Sequence, residues 1–107
     1  MKVALLTARD PLQVADGTAP AQVAVDLADE GHEVTLVLLE DAVTPAREGH
    51  RLAGALAHAV RAGVRVVAEE EALARRAVNR LGEGIKPTTF GEVVDLLMQR
   101  TDRQAWL

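Results

Sequence analysis

Three apolar runs of strand length organise the first two thirds of the chain: Val3 to Thr7, Val34 to Leu39 and Val64 to Ala68. Each is continuous where a half-buried strand would alternate, as expected of strands covered on both faces of a sheet. Between them the apolar positions recur at helical spacing. Val23, Ala24, Leu27 and Ala28 form one stripe, which Gly31 stops as a C′ residue would. Leu52, Ala55, Leu56, Ala59 and Val60 form a second, ending at Gly63.

Leu73, Ala74, Ala77, Val78 and Leu81 continue the pattern and predict a helix running to "GEGIKP", which reads as a stop followed by a turn. Thr89, with Glu92 three places on, predicts a capping box opening a helix through about Arg100. The tail "DRQAWL" is too short for a helix and reads as a final strand. "ARDPLQVADGTAP" and "AVTPAREGH" read as connections. Strand alternating with helix is the signature of a parallel sheet with helices on its faces. Right-handed crossovers bring the strand exits Ala8 to Leu12, Glu40 to Val43 and Ala68 to Glu71 to one edge, where such sheets bind ligands.

At 107 residues the chain is one domain, residues 1–107. A net charge of −4 with arginines interspersed among acids argues against nucleic-acid binding, which needs a clustered basic surface. Phe90 and Trp106, the two large rings, are too few for base stacking. No run approaches the roughly 20 apolar residues of a membrane span, and "MKVALLTARD" meets charge too soon for a signal peptide, so a cytoplasmic protein is expected. The chain has no cysteine, serine or tyrosine. Threonine, lysine, histidine and carboxylates are the groups left for nucleophilic or acid–base chemistry.

Several stretches, in order, resemble the DsrE/TusD family of small sulfur-relay proteins (the DsrE/DsrF family). These are "KVALLTARDPL", "LADEGHEVTLVLLEDAV", "AGVRVVAEEEALARRAV", "GEGI" and "TDRQAWL", which together cover most of the chain. The resemblance implies a three-layer α/β/α sandwich with a mainly parallel sheet of about five strands. It also implies assembly as a homo-oligomer, a trimer or hexamer, or with a protein partner of a sulfur pathway. Family members pass persulfide sulfur through a cysteine in the loop after the third strand. Carried over by its distance to Arg75 and Arg76, that position falls at Glu69, give or take one residue, and no thiol stands there. The family's glycine after the arginine pair is replaced by Ala77. A carboxylate cannot accept and release sulfane sulfur, so the fold is inherited without the activity.

Glu69, Glu70 and Glu71 suit a helix N-terminus, and Glu71 precedes Arg75 by the four residues of a helical ion pair. At the edge itself, Glu69 is a candidate for a cation or a basic partner group. Arg75 and Arg76 are candidate anion holders, although adjacent helix positions diverge by about 100° and would not face one site squarely. Arg9, Asp10 and Asp41 leave the first two strands beside the same edge, Asp41 also being suited to the turn at Thr44 and Pro45. Asp10, Asp41 and Glu69 together would suit a hard cation or a hydrolase. His50 and His58 are too far apart for a shared metal, and His32 lies in a turn.

The expectation is a non-catalytic subunit that binds a partner or small ligand through the strand edge (Arg9, Asp10, Asp41, Glu69, Arg75), with no cofactor and no metal. Trp106 is expected either as a core residue covering the sheet edge or as an interface anchor. The alternative is an acid–base or cation-dependent hydrolase built on the edge carboxylates.

Overall fold

The computed structural model describes all 107 residues. Five strands, β1 (Lys2–Thr7), β2 (Glu33–Leu38), β3 (Arg65–Glu69), β4 (Lys86–Thr88) and β5 (Arg103–Trp106), form one sheet in the order β4-β3-β2-β1-β5. Every pair is parallel. The helices are α1 (Ala19–Asp29), α2 (Ala53–Arg61), α3 (Glu70–Arg75) and α4 (Phe90–Gln99), with 3₁₀ segments at Pro11–Gln13 and Glu40–Ala46. The expected α/β/α sandwich is present.

The connections explain the layers. β1 to β4 step in one direction across the sheet, so right-handed crossovers put α1, α2 and α3 on one face. The return from β4 to β5 spans the whole sheet in the opposite sense and puts α4 on the other. The two cores follow suit. Leu5, Leu36 and Val66 point to the three-helix face, among 20 buried residues. Leu6, Val37 and Val67 point to α4, with only seven. One face is therefore thickly covered and the other thinly.

Three helices close in the same way. After α1, the N–H of Gly31 donates to Ala28 O and that of His32 to Leu27 O. After α2, Gly63 donates to Val60 O and Val64 to Ala59 O. After α3, Ala77 donates to Ala74 O and Val78 to Leu73 O. This closure needs a left-handed residue at C′, usually glycine. Gly31 and Gly63 take it at φ +95°, and Ala77 takes it at +52°. The expected helix to Leu81 therefore ends at Arg75. Its apolar stripe is real, but Val78 reaches the core from beyond a reversal of the chain.

The second departure is β4. Lys86 and Pro87 were expected to belong to a turn, and with Thr88 they form a three-residue edge strand paired with Val67 to Glu69. Pro87 is tolerated because an edge strand has one side without ladder bonds. The expected capping box is present: Glu92 N–H donates to Thr89 Oγ1 at 3.0 Å, and Thr89 N–H donates to Glu92 Oε1 at 3.1 Å. β5 is fully exposed. It is pinned at its start by Lys2 N–H donating to the Asp102 carboxylate and Asp102 N–H donating to Lys2 O, both at 2.8 Å.

His50 is buried ahead of α2, and its Nδ1 accepts from Leu52 N–H at 3.0 Å. The ring is thus neutral, with its proton on Nε2. Burial holds its pKa below the ordinary 6.5, helped by Arg47 and Arg51 and opposed by Asp10.

Ala77→Gly should stabilise the fold by about 1 kcal/mol, since it removes left-handed strain at a C′ position; the urea midpoint checks this. The unfolded chain binds a proton at His50 more readily than the folded one. Stability should therefore be intact above the ordinary histidine pKa and fall as pH drops through it toward the lowered folded value. His50→Asn, whose amide oxygen can accept the same bond without titrating, should flatten the acid limb of a melting-temperature profile.

Candidate functional site

Neighbouring strands whose connections leave to opposite faces open a crevice at the carboxyl edge of a parallel sheet. Here those strands are β3, leading to α3, and β4, leading to α4. Glu69 and Thr88 stand side by side at their ends. Two helix N-termini meet at this point, each with unpaired backbone N–H groups and the positive end of a dipole. A small anion or a thiolate would be stabilised there.

The chain fills both termini itself. Glu69 is the N-cap of α3 and is 5% exposed. Its Oε2 accepts from Glu71 N–H at 2.6 Å and its Oε1 from Ala72 N–H at 2.9 Å. Both carboxylate oxygens are thus committed to the helix behind them. Thr89 and Glu92 satisfy the start of α4. A separate recess of about 40 Å³ lies on the α4 face, running from Thr88 and Glu92 to Arg65 and Arg100.

Outside this point lies a charged cluster that ties the Glu40–Ala46 segment to α3. Arg76 donates to Asp41 Oδ1 from Nη2 at 2.7 Å and from Nε at 3.0 Å, and to Ala72 O from Nη1 at 3.2 Å. Arg75 pairs with Glu71 at 3.4 Å and lies 3.8 Å from Glu40, which is also 3.6 Å from Arg76. The two arginines thus meet on one carboxylate, against the expectation that they would diverge. The reason is that α3 has ended: Arg76 has left helical geometry at φ −104°, ψ 11°. Arg76 is the half-buried anchor of the cluster. The exposed pairs contribute at most about 1 kcal/mol each.

The structure separates the strand-edge residues singled out from the sequence. Glu69 caps α3, Asp41 and Arg75 belong to the charged cluster, and Asp10 caps the Pro11–Gln13 segment by accepting from Leu12 N–H at 2.9 Å. The turn at Thr44 uses the Asp41 backbone carbonyl, leaving its carboxylate to Arg76. Asp10, Asp41 and Glu69 are each engaged with a different partner, and no three acidic or histidine side chains come together in a way that could hold a metal. Arg9 projects elsewhere, at the mouth of a cavity of about 210 Å³ between β1, β2, the start of α1 and α2. That cavity is lined mainly by apolar side chains from separate elements, among them Leu36, Leu38, Ala42 and Leu56. Sequence reading missed it because these residues read simply as core. Trp106 is 66% exposed on the edge strand.

Glu69→Ala should lower stability by about 1–2 kcal/mol through loss of the N-cap, while Glu69→Asp, a good cap itself, should retain most of it; chemical denaturation of the two variants checks the assignment.

No family model matches the sequence, and no curated protein matches it. Solved structures do. The ychN protein from E. coli superposes with a TM-score of 0.91 at 17% identity, over 100% of this chain and 99% of that one. MTH1491 from Methanobacterium thermoautotrophicum, a protein of unknown function, gives 0.74 at 19% identity, over 97% and 96% of the two chains. BT1422 from Bacteroides thetaiotaomicron, also of unknown function, gives 0.76 at 13% identity, over 97% and 93%. What these likenesses share with the chain is its fold, end to end.

Proposed function

We propose that the protein is a non-catalytic binding subunit of the DsrE type. In this reading it keeps the architecture of a sulfur-relay protein and assembles with copies of itself or with a partner. The observation that carries the proposal is the replacement at the strand edge. A chain without cysteine has no thiolate to carry sulfur, and the carboxylate at the corresponding position is consumed as a helix cap. In a sulfur pathway such a subunit acts as a scaffold and not as the carrier. Hydrolysis by the edge carboxylates is the weaker reading, because Asp10, Asp41 and Glu69 are bound to three different partners.

Assembly is supported by the thin face of the sheet. Phe90, Val94 and Met98 recur every four residues along the outer side of α4 and are 63%, 44% and 78% exposed. Trp106 pairs in register with Leu6, whose side chain belongs to the α4 core, and so stands on the same face. Apolar side chains grouped in this way mark association surfaces, and an uncovered edge strand adds backbone groups to satisfy. A trimer or a hexamer would cover both.

Mass spectrometry after incubation with a persulfide donor should find the mass unchanged; a stable gain of sulfur would refute the non-carrier role. Light scattering should find an oligomer, which Trp106→Ala weakens by about 2 kcal/mol, roughly thirtyfold in dissociation constant. A monodisperse wild-type monomer would refute self-assembly.

A further inference from the structure

The 210 Å³ cavity is not at the β3–β4 crevice, and its chemistry is different. Leu36, Leu38, Ala42, Pro45 and Leu56 line its buried side, and Val23, Leu52 and Ala55, which keep accessible surface, line the rest. Its lid is the loop between β1 and α1. Three local devices hold that loop. The Asp10 carboxylate accepts from Leu12 N–H, and the Asp16 carboxylate accepts from Thr18 N–H and Oγ1 at 3.0 and 2.7 Å. Gly17 packs so tightly on Pro11 that an added Cβ would lie 2.1 Å from the Pro11 carbonyl oxygen.

The space is a recess open on one side, and a mainly apolar recess of this size suits a small ligand. Its surface is mainly apolar, so water held against it finds few polar partners. The mouth supplies charge. Arg9 and Asp16 are the charged side chains that line the cavity. Asp16 is already engaged by Thr18, whose hydrogen bonds also hold its pKa below the ordinary value. Arg9 takes part in none of the five ion pairs of the chain. A planar guanidinium without an ion-pair partner beside a mainly apolar recess is complementary to a carboxylate carrying a hydrocarbon tail.

We infer that this cavity is a binding site for a small monocarboxylic acid, with its head on Arg9 and its tail against Val23, Leu52 and Ala55. An engineered cavity of about 150 Å³ accepts benzene, so this one holds a tail of about six to eight carbons. The inference goes beyond the binding-subunit reading and is tested separately from it, since neither the persulfide nor the light-scattering result depends on occupancy of this cavity.

The experiment is a titration of the intact protein with straight-chain carboxylates from butanoate to dodecanoate, alongside 1-octanol and octylamine, followed by amide chemical shifts and calorimetry. Affinity should rise roughly fourfold per methylene, then stop rising once the tail fills the cavity at about eight carbons. The shifts should centre on residues 7–23 and 36–56. Arg9→Gln, at an exposed position, should weaken octanoate at least tenfold and leave 1-octanol unchanged. Val23→Trp, at a cavity-lining position that is 38% exposed, should close the space and abolish both. Four results would each overturn the assignment: no shifts at millimolar octanoate, octylamine binding as tightly as octanoate, affinity independent of tail length, or an Arg9→Gln protein that binds octanoate unchanged.

Discussion

A parallel sheet exists only if each helix stops where the chain can turn back into the next strand. In this protein that constraint is met three times by one closure, a left-handed residue after the last turn, with the following N–H reaching back to a carbonyl five residues earlier. Gly31 and Gly63 deliver the chain to β2 and β3, and the same geometry at Ala77 turns it away from α3. Were any of these helices to run on by a turn, the residues behind it would lose their register with the sheet. The alternation of layers and the position of the strand ends both follow from where these helices stop.

At the opposite ends of the helices the demand is for acceptors. The β3–β4 crevice brings two helix starts together, which is where this architecture concentrates positive potential. Glu69 lies deep enough to place both oxygens on backbone N–H groups, and Thr89 with Glu92 does the same for α4. No buried side-chain nitrogen or oxygen in the molecule lacks a partner. The favourable electrostatics of the crevice thereby go to a residue of the chain itself.

The asymmetry of the sheet bears on both proposals. Three helices on one face leave a gap between α1, α2 and the first two strand ends, because the loop after β1 arches over it without filling it. One helix on the other face cannot cover five strands, so α4 shows a line of apolar side chains outward and β5 lies bare beside β1. The first leaves a mainly apolar recess with Arg9 and Asp16 at its rim. The second exposes a surface that a neighbour would shield. The second arises from the single long return between β4 and β5, which leaves just one helix for that side.

Much of this was legible in the residues. The apolar runs of β1, β2 and β3 are continuous because both faces are buried, and no other placement satisfies them. The stop at Gly31, the capping box at Thr89 and the missing sulfur nucleophile are properties of residue types, available without coordinates. What only the tertiary structure decided depends on neighbours distant in sequence. Ala77 looks helical, and it is driven left-handed by the need to bring Val78 into the core. Lys86 and Pro87 look like part of a turn, and with Thr88 they become a strand because β3 offers them an edge. Glu69 shows its acidity in the sequence, but the commitment of both its oxygens depends on how deeply β3 is buried. The cavity is the clearest case, since apolar residues declare that they will be buried and only packing decides whether they close on each other or on an empty space.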